Sequence, residues 1–144
     1  MRIFLTLFGL FLSSYAYSNT VFDAENEGEA IGIVYRHIKE IDVLKFMCQG
    51  KVPETEIIVS DAVDSWMARN SVVVTNLMSG LDRIPTKERE QLFELAKRVS
   101  HNTIILFNKQ SQSEKEKLCL VLANKLDSDL FKEEYPIAYK FMSK

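Results

Sequence analysis

The histidines and cysteines are the residues of this 144-residue chain whose types could support metal binding or catalysis. Helices that hold a metal ion present two or more His or carboxylate ligands three or four residues apart on one face. His37 has only Glu40 at this spacing, and His101 has no such neighbour. A single His–carboxylate pair occurs by chance in many helices. We therefore expect no metal ion and no other cofactor.

Nucleophilic catalysis requires a base within hydrogen-bond reach of a serine or cysteine. Ser100 precedes His101, but adjacent residues of a helix point about 100° apart, so their side chains do not meet. Neither Cys48 nor Cys119 has a histidine nearby in the sequence. Glycine-rich phosphate loops, nucleophile elbows and zinc-binding Cys-x-x-Cys pairs are also absent from the sequence. These observations predict a protein that is not an enzyme, with an enzyme of scattered active-site residues as the alternative.

The segment Trp66-Met67-Ala68-Arg69-Asn70 is the most distinctive in the chain. Trp66 and Asn70 share a helix face, and Arg69 lies beside them. One interpretation is a core Trp beside an Asn that hydrogen-bonds across a helical bundle. The other is a partner-binding site formed by Trp66, Arg69 and Asn70, because Trp and Arg are enriched at interface hot spots. A buried Asn70 amide without a hydrogen-bond partner would favour the second interpretation.

The N-terminus has the charge, apolar core and small-x-small order of a secretory signal peptide. A positive Arg2 precedes the apolar run Ile3–Leu12, and Ala16 and Ser18 are the small residues. The run has about ten residues, whereas a membrane span needs roughly twenty, so a retained anchor is the less favoured alternative. We expect residues 1–18 to be a signal peptide and residues 19–144 to form a single helical domain. The mature protein is then periplasmic or secreted, with no stable membrane anchor.

An isolated cysteine pair in an exported protein usually forms one disulfide. We therefore expect a Cys48–Cys119 bond, with two unpaired buried thiols as the alternative. A loop of about 70 residues closed in this way would remove unfolded-state entropy worth on the order of 4 kcal/mol in the chain-entropy description. Such a bond would matter for the stability of a domain of this size.

Apolar residues three and four positions apart predict helices throughout the chain, and no strand pattern occurs. The expected fold is an all-α, antiparallel up-down bundle of four to five helices. In this topology the end of helix one and the start of helix four lie at the same pole, so Cys48 and Cys119 can meet. Prolines, glycines and a Ser-x-x-Glu capping box mark the ends of the expected helices. The expected helices are Glu27–Met47, one from Pro53 to Gly80, one from Pro85 to about Phe107, one starting at Ser113 with Glu116, and a short helix over Leu130–Met142 bent at Pro136.

The expected third helix carries an apolar stripe and then a short run that is apolar on more than one face. The stripe consists of Leu92, Leu95, Ala96, Val99, Thr103 and Leu106. The run Ile104–Phe107 has two interpretations, core at a crowded end of the bundle or an exposed contact patch.

The arrangement of Cys48, Trp66-x-x-Arg69-Asn70 and Cys119 resembles small uncharacterised periplasmic helical proteins of Gram-negative bacteria that have a Cys…Trp-x-x-Arg-Asn…Cys pattern. That resemblance implies an exported bundle and carries no activity. The architecture is also similar to that of periplasmic immunity proteins, which are small disulfide-bonded helical domains that block toxins. This second similarity is one of class and involves no individual residue.

The formal net charge of −2, mixed along the chain, gives no electrostatic basis for binding nucleic acid or an anionic membrane. We therefore expect an exported, non-enzymatic helical binding protein that covers a partner protein, such as a periplasmic inhibitor or immunity protein. The alternative is a small-ligand or lipid carrier with a cavity between its helices. Four phenylalanines could line that cavity or simply fill the core: Phe93, Phe107, Phe131 and Phe141. The sequence leaves the oligomeric state open.

Overall fold

The computed structural model describes residues 22–144, so the expected signal peptide lies outside the described residues. Within this range the chain forms seven α-helices and one short 3-10 helix, and no strand. The helices are α1 (Glu27–Lys51), the 3-10 helix (Pro53–Thr55), α2 (Glu56–Arg69), α3 (Ser71–Arg83), α4 (Thr86–Lys109), α5 (Gln112–Asp127), α6 (Leu130–Glu134) and α7 (Pro136–Met142). The predicted all-α class is confirmed.

Helix α1 is the centre of the fold, because α2, α3, α4, α5 and α7 all pack against it. The Asn26 side-chain oxygen accepts a hydrogen bond from the Glu29 backbone N–H (3.0 Å), which satisfies one of the free donors at the start of the helix. Seven residues spaced along most of its length are buried: Ala30, Ile31, Val34, His37, Ile41, Met47 and Cys48. This helix therefore supplies the surface on which every longer helix is assembled.

The disulfide between Cys48 and Cys119 is confirmed, with an S–S distance of 2.05 Å and both residues fully buried. It joins the end of α1 to the middle of α5. At the same end of the molecule, the Gln112 side-chain amide donates a hydrogen bond to the Lys51 carbonyl (3.0 Å). The covalent and polar links together hold α5 antiparallel to α1. The up-down order of the whole bundle stays a prediction.

The prediction of one continuous second helix is wrong, because the helix is interrupted at Asn70 and the chain forms two helices, α2 and α3. Asn70 has non-helical dihedral angles, and its side-chain amide donates to the Trp66 carbonyl (3.0 Å). An Asn side chain that competes for backbone groups in this way favours a helix end over a helix interior. The predicted stop at Gly80 is also wrong, since α3 continues to Arg83.

Gly80 instead allows α3 to approach α1 closely. A Cβ atom placed on Gly80 would lie 2.8 Å from Cδ1 of Ile31, which is closer than real side chains come. The glycine therefore serves the close packing of α3 on α1 and not helix termination, since a larger residue would make Ile31 shift.

The capping box of α5 lies two residues upstream of the predicted one. Ser111 is extended, its hydroxyl accepts a hydrogen bond from the Glu114 N–H (3.3 Å), and the Glu114 carboxylate accepts one from the Ser111 N–H (2.8 Å). The sequence contains a second Ser-x-x-Glu at Ser113 and Glu116, which also fits the motif. Use of the upstream box lengthens α5 at its start, so the predicted helix start at Ser113 is corrected.

The predicted bent helix at the C-terminus is present as α6 and α7, with Pro136 as the first residue of α7. Asp23 caps α7 from the other end of the described chain. Its carboxylate accepts hydrogen bonds from the backbone N–H groups of Ile137 (2.7 Å) and Ala138 (2.9 Å). An acidic cap at a helix N-terminus is favourable for both hydrogen bonding and charge. This cap holds α7 against α1 and α3.

Candidate functional site

Trp66 is a core residue of the bundle, with none of its surface exposed. Its ring meets those of Phe131 and Tyr139 edge to face, with ring centres 6.5 Å apart in both pairs. Among residues 22–144 its indole Nε1 has no hydrogen-bond partner. A Trp enclosed in this way offers no surface to a partner of the folded protein.

Asn70 and Arg69 link the end of α2 to the end of α5. The Asn70 amide is buried, and besides its bond to Trp66 it donates to the Asp129 carboxylate (3.3 Å). The half-exposed Arg69 donates to the Leu126 carbonyl (2.7 Å) and lies 3.9 Å from the Asp129 carboxylate. Because the buried amide is satisfied, the geometry favours the structural interpretation of the Trp66, Arg69 and Asn70 segment.

His37 lies beneath the C-terminal helices and is almost fully buried. Its Nδ1 lies 3.3 Å from the Tyr139 hydroxyl, and its ring centre lies 4.5 Å from that of Phe131 and 4.8 Å from that of Tyr135. Burial, with smaller contributions from the Arg36 and Lys125 charges, lowers the pKa of His37 to about 3. The imidazole is therefore neutral at ordinary pH. Burial and the Asp129 charge raise the pKa of Tyr139 above its usual range.

His101 is exposed on α4, whereas the buried His37 cluster is formed by α1, α6 and α7. In the part of the chain that the structure describes, no three His, Cys, Asp or Glu side chains are arranged to hold a metal ion. The sequence did not reveal the aromatic cluster around His37, although His37 lies between Val34 and Ile41 on the apolar stripe of α1.

Helix α4 is the least buried of the long helices. Of its 24 residues only Ala96 and Phe107 are buried, and its most extensive contacts are with α1. Five large apolar side chains of α4 are exposed: Phe93, Leu95, Val99, Ile105 and Leu106. The run Ile104–Phe107 is divided, because Phe107 enters the core while Leu106 is 59 % exposed; a contact role for the exposed part stays a prediction.

Residues spaced alternately four and three apart form a continuous line along one flank of α4, which we call the α4 stripe. Its members are Glu88, Leu92, Leu95, Val99, Asn102, Leu106 and Lys109. Leu92 is half-buried and the six others are exposed. This spacing is the heptad pattern by which one helix packs along another, yet no helix of the described chain covers the stripe. Sequence periodicity identified its apolar residues as one helix face but did not show whether that face is covered.

An open apolar groove of about 370 Å³ lies between the α4 stripe and α1. Leu92, Leu95 and Val99 line it from α4, and Gly32 and Ile33 line it from α1. A Cβ atom placed on Gly32 would meet no atom within 4 Å, so the backbone of α1 is open to the groove at this point. Gly in a helix interior costs roughly 0.5–1 kcal/mol relative to Ala, and no neighbour within the described chain requires it here.

One basic and one acidic residue flank the groove on α1. Arg36 donates a hydrogen bond to the Tyr135 hydroxyl (3.1 Å), and within residues 22–144 no carboxylate lies within 4 Å of it. Glu29 accepts a hydrogen bond from the Glu25 backbone N–H (2.7 Å). The rim therefore has mixed charge around an apolar centre, which is the usual composition of a protein-binding surface.

The four phenylalanines predicted to line a cavity are dispersed. Phe107 and Phe131 are buried in the core, and Phe93 packs on Tyr35 with ring centres 5.4 Å apart. Phe141 lies beside Ile137 and Lys144 in a separate depression. The helices therefore do not bring these four phenylalanines together around one cavity.

Comparisons with known proteins found no family model, no curated protein and no solved structure that matches this chain. Across residues 22–144, each helix is either too short or too polar to cross a bilayer. The function must accordingly be inferred from the exposed surface of α4 and its groove.

Proposed function

We propose that the protein is an exported, non-enzymatic binding protein that covers a partner protein with the α4 stripe, as a periplasmic inhibitor or immunity protein does. The buried disulfide supports an oxidising compartment, where such bonds persist. On this proposal the partner is a protein and not a nucleic acid or a membrane, in keeping with the near-neutral, mixed charge.

The observation that carries the proposal is the exposure of α4. Helix α4 has 24 residues, of which two are buried, and five of its large apolar side chains are exposed. A partner that covered these side chains would remove their apolar surface from water, which the monomer does not do. Contiguous exposed apolar surface with a polar rim is typical of protein interaction sites. The apolar members of the α4 stripe run from Leu92 to Leu106, which is about 20 Å along the helix axis. That length exceeds the groove and favours a macromolecule over a small ligand.

The scaffold beneath α4 is held rigidly, which favours binding because little order has to be gained on association. The disulfide fixes the far end of α1, and Asp23 fixes α7 on its other side. The capping box fixes the start of α5 directly after α4. The stripe is thus displayed on an ordered support.

The test compares two glutamate substitutions of exposed aliphatic residues. Leu95 is 51 % exposed on the α4 stripe, and Ile57 is 75 % exposed on α2, away from α4. Tagged wild-type protein, Leu95→Glu and Ile57→Glu are each incubated with periplasmic extract of the source cells. We expect a stoichiometric protein to be retained by wild type and Ile57→Glu and lost with Leu95→Glu. Equal retention by all three, or no retained protein, would contradict the proposal.

A second candidate, an apolar-ligand carrier, is favoured by the open space above Gly32. The groove volume lies within the roughly 300–1,000 Å³ range of small-molecule sites. Native mass spectrometry of protein purified from its own cells separates the two functions. A mass above that of the chain supports a carrier, and the bare chain mass excludes a retained ligand.

A further inference from the structure

The two ends of the α4 stripe carry opposite charges. Glu88 lies at its start and Lys109 at its end, at nearly equal distances in sequence from Val99. If two α4 helices lie antiparallel and cross at Val99, Glu88 of each faces Lys109 of the other. A parallel pair would instead place like charges together at both ends. The stripe is therefore complementary to an inverted copy of itself.

The residues between these charges complete the same pattern. In the antiparallel pair Leu92 faces Leu106 of the second copy, and Leu95 faces Asn102 of the second copy. Each layer pairs residues whose numbers sum to 197 or 198, so the paired residues lie level with each other along the two helix axes. A single polar Asn in such a seam fixes alignment at some cost in stability.

The groove gives the second helix a place to lie. An α4 helix of another copy that follows the stripe also lies over the backbone of Gly32, where a Cβ is missing and no atom of the described chain fills the space. Small residues allow helices to approach closely, as Gly80 allows within this fold. In such a pair Gly32 allows the second helix to approach α1 closely, whereas in the single chain no neighbour packs at this position.

We propose that a second copy of this chain covers the α4 stripe, forming a two-fold dimer through an antiparallel pair of α4 helices. The proposal rests on the proposed function of α4 as a protein-docking helix and names one partner for it. A two-fold interface uses the same patch on both subunits. That patch must therefore carry both the side chains that project into the other subunit and the space that receives the other subunit's side chains. The stripe and the adjoining groove meet this condition.

The test measures association of the disulfide-bonded protein by sedimentation equilibrium over a wide range of concentrations. We expect wild type to dimerise and Ile57→Glu to match it, because Ile57 lies outside the stripe. Leu95→Glu places two carboxylates in the seam of the dimer, so we expect a monomer at every concentration. A monomeric wild type would overturn the proposal.

Charge exchange tests the antiparallel orientation. Lys109→Glu places an acidic residue against Glu88 at each end of the antiparallel dimer, so we expect the dissociation constant to rise about three- to tenfold. Glu88→Lys combined with Lys109→Glu restores opposite charges and should restore wild-type association. An unchanged dissociation constant in Lys109→Glu, or no recovery in the double variant, would overturn the antiparallel pairing.

The two proposals fail in different ways. If the wild type is monomeric but its capture of another protein still depends on Leu95, only the second copy is excluded as the partner of α4. A dimer that Leu95→Glu dissociates without changing capture of another protein supports self-association and contradicts the proposed placement of that protein on α4.

Discussion

Helices α4 and α5 follow each other in the chain and both show helical spacing of apolar residues, but the fold uses them in opposite ways. The shorter helix, α5, has 16 residues and packs on both α1 and α2, to which it contributes four buried residues: Cys119, Leu122, Ala123 and Leu126. The 24-residue α4 packs mainly on α1 and buries two. The apolar pattern of a helix thus shows which residues share a face, while the number of neighbouring helices decides whether that face is covered.

The cause of the difference lies in the position of each helix. Helix α5 lies between two helices, which enclose its four buried residues, while Leu118, Leu120 and Val121 on its other side are exposed. Helix α4 lies on the outer side of α1, and one neighbour covers only a narrow line of residues centred on Ala96 and Phe107. The flank that carries Leu95 and Leu106 is left exposed as a result.

The largest expected effect concerns the covalent link on the α5 side. Replacing both Cys48 and Cys119 with Ala opens a loop of 71 residues in sequence separation and restores entropy to the unfolded chain. We expect the free energy of unfolding to fall by on the order of 4 kcal/mol in urea titrations. Amide exchange should increase more in α5 than in α4, because the bond holds α5. A loss below about 1 kcal/mol would show that packing alone fixes this side.

The next effect concerns the pH dependence of the free energy of unfolding that arises from the buried His37. The pKa of His37 falls from 6.5 to about 3 on folding, so between these values the unfolded chain binds a proton that the native state excludes. The contribution of His37 to stability is complete above pH 6.5 and is lost as the pH falls toward 3, by up to about 1.4 kcal/mol per pH unit.

The matched variants are His37→Gln, which removes the buried titrating group, and His101→Gln, which makes the same substitution at an exposed position of α4. Urea unfolding between pH 7 and about pH 4 measures the slope, in a range where carboxylates also contribute. We expect a shallower slope in His37→Gln than in either wild type or His101→Gln. A slope in His37→Gln equal to that of wild type would contradict the burial of His37.

Much of the α5 side could be predicted from sequence, and much of the α4 side could not. The cysteine pair, the all-α class and the bend at Pro136 follow from local chemistry that a single chain displays. The break at Asn70 was not predicted, although the bond of its amide to the Trp66 carbonyl is local; the second acceptor of that amide, Asp129, lies 59 positions away and could not be foreseen. The outward orientation of Leu106 depends on the absence of a neighbouring helix, which spacing within α4 does not encode.

The candidate site shows the same limit. Trp66, Arg69 and Asn70 stood out by residue type, but the fold uses them to join α2 to α5. The apolar residues of the α4 stripe were recognised as a helical face, but their spacing did not show whether that face is covered. Gly32 carried no sequence signal, since only the surrounding structure shows the open space above it.

The most direct test of the contrast between α4 and α5 is the same truncation on both helices. Leu126 on α5 is fully buried, whereas Leu106 on α4 is exposed. Urea unfolding, at concentrations low enough for the chain to be monomeric, compares Leu126→Ala with Leu106→Ala. We predict a loss of about 2–5 kcal/mol for Leu126→Ala and less than about 0.5 kcal/mol for Leu106→Ala. Similar losses at both positions would place Leu106 in the core and contradict α4 as a presented surface.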